Sequence, residues 1–75
     1  MNIEIYSKDQ CPYCDMAIRK AQELTDANKA THQVFKLNED FSREELFEKF
    51  PTARTFPQIT IDGEGIGGWQ EFQNV

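Results

Sequence analysis

The chain has 75 residues and a net charge of −5, from 13 acidic against 8 basic side chains. That length makes a single domain, 1–75, with a thin core that buries roughly 60% of the surface its unfolded form exposes. The acidic balance argues against a nucleic-acid partner, whose phosphates are met by many Lys and Arg contacts, and no run approaches ~18 apolar residues, so no membrane span is expected.

Met1–Ile5 shows no basic segment followed by a long apolar run, so no signal peptide is expected and a reducing cytosol is the expected compartment. Ile3 and Ile5 alternate with Asn2 and Glu4, which predicts a first strand running to about Tyr6. A polar loop, Ser7 to Gln10, delivers the chain to Cys11, and Pro12, with its preset dihedral and missing N–H, suits the first turn of a helix. Cys14, Ala17, Ile18, Ala21 and Leu24 then share one helical face, predicting a helix from Pro12 to about Asn28. Val34–Leu37 reads as a second strand. Ser42 with Glu45 three residues later forms a capping box, with Phe41 and Leu46 spaced as a hydrophobic staple. Leu46, Phe47 and Phe50 supply that helix with an apolar stripe, and Pro51 ends it. Gln58–Ile61 is a third strand, Asp62–Gly63 a hairpin turn, and Ile66 belongs to a short fourth strand. The order strand–helix–strand–helix–strand–strand predicts an α/β fold. Its mixed four-stranded sheet has the first two strands parallel, the last two antiparallel, and helices packed on it.

Cys11 and Cys14 form a C-x-x-C pair, which can be half of a zinc site, a structural bond or a redox couple. Zinc calls for about four ligands, and the chain offers no further cysteine and one histidine, His32. A disulfide between residues this close constrains the unfolded chain little, which makes it a poor staple. The junction of strand and helix instead suits a redox couple. The first helical turn carries unpaired N–H groups and about half a positive charge, which favours a thiolate at Cys11. Lowering a cysteine pKa from about 8.5 to about 5.5 raises the thiolate fraction at pH 7 about thirtyfold. Lys8 adds a nearby cation. Cys14, one turn into the helix on its apolar face, is expected to be less accessible. Cys11 therefore attacks and Cys14 resolves. His32 reads as a strand residue and Met16 as core packing.

Cys11-Pro12-Tyr13-Cys14 resembles the dithiol glutaredoxin active site, Thr55-Phe56-Pro57 that family's Thr-Val-Pro turn, and Ile66-Gly67-Gly68-Trp69 its paired-glycine segment before the last helix. The resemblance covers almost the whole chain. It implies a thioredoxin-like fold with a short C-terminal helix and no tightly bound cofactor. Glutathione would be the co-substrate, and protein disulfides and protein–glutathione mixed disulfides would be reduced, ribonucleotide reductase being one protein of that kind. A monomer is expected. Carried over by position, Lys8 would attract a carboxylate of glutathione and Tyr13 would flank the tripeptide. The Thr55–Phe56–Pro57 turn would offer backbone groups beside a cis proline, and Gly68, Trp69 and Gln70 would hold the γ-glutamyl end. The chain departs from the family at Gln70 and Glu71, where other members carry Thr, Ser or Asp followed by Asp, and at Phe56, where valine is usual. Two other readings stay open: a redoxin recharged by a flavoprotein thioredoxin reductase, and an iron–sulfur cluster carrier.

Overall fold

The computed structural model describes all of residues 1–75 and places seven elements along them: β1 (Asn2–Ser7), α1 (Pro12–Asp26), β2 (Thr31–Lys36), α2 (Arg43–Lys49), β3 (Gln58–Ile61), β4 (Glu64–Gly67) and α3 (Trp69–Phe72). The four strands form one sheet in the order β2-β1-β3-β4. β1 runs parallel to β2, with Ile5 opposite Val34, and antiparallel to β3, with Ile5 opposite Ile59. β3 and β4 are antiparallel and close through Asp62 and Gly63, both at positive φ (52° and 87°), as a two-residue primed turn requires. The expected architecture is the one observed.

Alternation in β1 sorts its side chains by face. Ile3, Ile5 and Ser7 are buried on the side that receives α1, while Glu4 and Tyr6 face the other way. Ile3, Ile5, Ala17, Ala21, Ile59 and Phe72 are fully buried together and make the core. Two alanines on the inner face of α1 let that helix sit close to the sheet, and Ile18 and Leu24 seal its margins. α1 ends at Asp26, a little before Asn28. There Asn28 takes φ 60°, its N–H bonds to the Thr25 carbonyl (3.0 Å), and the Lys29 N–H bonds to the Leu24 carbonyl (2.9 Å). That pair of bonds is a Schellman termination, in which Asn stands in for the usual glycine.

Three expectations change. β2 begins at Thr31 rather than Val34 and leaves out Leu37, because pairing with Asn2–Ser7 fixes its ends whatever its hydrophobicity. Leu37 makes only an isolated bridge to Phe41. Met16 is 44% exposed and Phe47 is 48% exposed, so neither belongs to the core. α2 explains the second case: none of its Cα atoms comes within 8 Å of another named element. It meets the rest of the chain through side chains, with Leu46 its one buried residue. Ser42 and Glu45 cap it reciprocally, with bonds of 3.1 and 3.0 Å, and it stops at Lys49 ahead of Pro51.

Register brings distant segments to one end of the sheet. Tyr6 lies opposite Gln58, so the end of β1 meets the start of β3, and Ile59 lies opposite Gly67, so the end of β4 arrives there too. The Cys11 loop, the Pro57 turn and the paired glycines are therefore neighbours.

Candidate active site

Ser7 closes β1 with its hydroxyl donating to the Phe35 carbonyl (3.0 Å). The loop that follows turns through Gln10 at φ 53° and is moored by an ion pair between Asp9 and Lys36. Lys36 titrates above its ordinary 10.5, first because Asp9 accepts a hydrogen bond from it, then because of the charges on Asp9 and Glu39. Cys11 is the N-cap of α1 and Pro12 its first helical residue. A cap is normally an oxygen from Ser, Thr, Asp or Asn. Here the Cys11 sulfur accepts the Cys14 N–H at 3.2 Å.

The two sulfurs are joined as a disulfide, with Cα atoms 5.1 Å apart, inside the range such a bond requires. Cys11 is 7% exposed and Cys14 is 1% exposed. Their order is as expected. Cys11 is nevertheless much less open than its polar flank Lys8–Gln10 suggests, because a capping side chain folds back over the first helical turn.

A groove of about 430 Å³ runs beside the pair, lined by Tyr13, Thr55, Phe56, Gly68, Trp69, Gln70, Glu71 and Gln73. Six of the residues expected to hold glutathione thus meet in one depression: Tyr13, Thr55, Phe56, Gly68, Trp69 and Gln70. Lys8 is not on its wall; the ammonium stands 5.6 Å from the centre of the Phe56 ring, within cation–π reach. Pro57 is fully buried and follows a cis peptide bond. The Gln58 side-chain amide donates to the Thr55 carbonyl (2.7 Å) and steadies the same turn. At Gly68 a Cβ would stand 3.1 Å from the Pro57 carbonyl oxygen, so glycine lets the two segments approach.

Two lining residues were not among the candidates. Glu71, noted in the sequence as a departure from the family, accepts the Gly68 N–H at 2.7 Å and folds over Gly67. Gln73 lies beyond every motif, and nothing local marks it. α3 itself is held by Phe72, fully buried, and by Lys20, whose ammonium donates to the Phe72 carbonyl (2.7 Å).

The arrangement is a disulfide at a helix start, its Cys14 sulfur fully buried and its Cys11 sulfur slightly more exposed, beside an open groove. That geometry suits thiol–disulfide exchange. The glutaredoxin family model matches residues 3–66. Among curated proteins, Glutaredoxin 3 of Escherichia coli K12 is 34% identical over 67 residues, covering 89% of this chain and 76% of its own length. Among solved structures, reduced E. coli glutaredoxin superposes with a TM-score of 0.86 at 30% identity, covering 99% of this chain and 91% of its own. The oxidised E. coli form gives 0.81 at the same identity and coverage.

Proposed function

The chain belongs to the glutaredoxin family of thiol–disulfide oxidoreductases, and on that footing we propose that glutathione is its reductant. Its substrates are then protein disulfides and protein–glutathione mixed disulfides. The observation that supports the exchange chemistry most directly is the Cys11 sulfur at the cap of α1, accepting the Cys14 N–H. In the reduced protein that bond and the helix start favour thiolate over thiol.

In the mixed-disulfide route, the Cys11 thiolate attacks the glutathione sulfur and the protein leaves as its thiolate. A glutathione thiolate then attacks the Cys11–glutathione bond, giving oxidised glutathione and restoring Cys11. In the protein-disulfide route, Cys11 attacks one sulfur of the substrate and frees the other as a thiolate. Cys14 then attacks the Cys11 sulfur, releasing the second substrate thiolate and leaving the Cys11–Cys14 disulfide. Two glutathiones reduce that bond. Ribonucleotide reductase is one protein disulfide of this kind. The working unit we envisage is a monomer in a reducing cytosol.

The groove supplies the tripeptide's seat, lined by Tyr13 and by Gly68–Gln70. Lys8 would turn toward a carboxylate from its place over Phe56. A second reading has one observation in its favour: Glu71 already takes the Gly68 N–H, a donor that the γ-glutamyl carboxylate would otherwise use. Recharging by a thioredoxin reductase would make that occupancy harmless. The deciding experiment is turnover of a small glutathione mixed disulfide with either reducing system, for the parent and both single-cysteine variants. Glutathione is expected to sustain the faster turnover. Sustained reduction by the flavoprotein alone would overturn the proposal.

A further inference from the structure

On the face of the sheet opposite α1, a second hollow of about 470 Å³ lies between β1, β2 and α2, and it includes neither cysteine. Its floor is aromatic. Tyr6 stacks on Phe35 at 5.1 Å between ring centres, and Phe41 meets Tyr6 edge-on at 5.3 Å. Leu46 closes the floor beneath α2, and the carboxylates of Asp40, Glu45 and Glu48 stand around it. Asp40 and Glu45 each accept one backbone N–H, from Lys36 and Ser42, which leaves their negative charge in place. Lys49 is the one cation at the hollow, its ammonium 5.7 Å from the Tyr6 ring centre. The ring face thus already takes a cation, and three carboxylates against one ammonium leave the hollow net negative.

This hollow adjoins the reactive groove. Phe41 stacks on Phe56 at 6.5 Å, and Phe56 is a wall of that groove. Ring to ring, the distance from Phe56 to Tyr6 is at most about 12 Å, which roughly four extended residues span.

We propose that this hollow docks the protein substrate, accepting a Lys or Arg beside an apolar residue roughly three to five positions from the cysteine under attack. The inference rests on the oxidoreductase reading and adds the class of protein it acts on. The partner's cation settles among the carboxylates in exchange for the Lys49 ammonium, and its apolar neighbour covers the half-buried rings of Tyr6 and Phe35. Acidic segments are repelled there, as they are by the chain's net charge of −5.

The test uses two glutathionylated peptides alike except for Arg-Leu or Glu-Leu four residues after the cysteine, with the mixed disulfide of glutathione and 2-mercaptoethanol as reference. The basic peptide is expected to show a kcat/KM about tenfold above the acidic one at low salt, narrowing in concentrated salt. Glu48→Lys is expected to bring the ratio close to one while leaving turnover of the reference unchanged. Glu64→Lys, on β4 away from the hollow and equal in charge, is expected to preserve most of the ratio. A ratio near one in the parent overturns the inference. So does a ratio that survives Glu48→Lys, or one that Glu64→Lys reduces equally. Failure of the parent to turn over the reference would instead overturn the oxidoreductase reading.

Discussion

The Cys11 sulfur has two tasks, capping α1 and attacking disulfides, and substitution separates them. Serine is a good cap, so Cys11→Ser is expected to unfold within a few degrees of the reduced parent while losing turnover of every disulfide substrate. Cys14→Ser keeps the attacking sulfur and loses the resolving one. It is expected to retain removal of glutathione from proteins, stall on protein disulfides, and accumulate a mixed disulfide visible by mass spectrometry. Equal loss of both activities in Cys14→Ser would contradict the division of roles. The Asp9–Lys36 pair gives a pH dependence of defined sign. Lys36 holds its proton more tightly folded than unfolded, so its contribution is complete below about 10.5 and disappears as pH climbs through the higher folded value. Urea midpoints measured from pH 9 to 12 are expected to fall less steeply in Lys36→Met than in the parent.

Among the elements, α2 and α3 are the ones that cannot stand alone. An isolated helix as short as either is unstable in water, so each depends on specific supports. For α2 these are the Ser42–Glu45 box and one buried leucine. Ser42→Ala is expected to cost about 1 kcal/mol, read from urea unfolding, with faster amide exchange across Arg43–Lys49 than across α1. Parity of exchange between the two helices would show that α2 is better anchored than its separation from the other elements implies. For α3 the supports are Phe72 below and the Lys20 ammonium at its C-terminal carbonyl.

Across the whole molecule, core and groove are coupled through Phe72. The ring fills the core beside Ile3, Ile5 and Ile59, while the helix that carries it presents Trp69, Gln70 and Glu71 to the groove. Phe72→Ala is expected to cost about 3–5 kcal/mol, a large share of the 5–15 kcal/mol that typically holds a domain together. It should also raise the KM for glutathione substrates at temperatures where the variant is still folded. A variant that lost stability and kept its KM would show α3 to be held from elsewhere.

Local chemistry was enough to read the helix start at Pro12, the Ser42–Glu45 box and the Asp62–Gly63 turn, since each is settled by residues within four positions of one another. The reactive pair was legible for the same reason, its cap, proline and spacing being contiguous. Met16 reads as core packing although it lies off the α1 face, and Phe47 falls in the α2 stripe, because an apolar residue at the edge of a helical stripe looks the same whether or not another layer covers it. For Phe47 no layer does. The extent of β2, the small opening at Cys11, the Lys8–Phe56 contact and the aromatic hollow under α2 needed the assembled sheet. Each depends on residues far apart in the chain, and strand register, which no short segment encodes, is what brings them within reach.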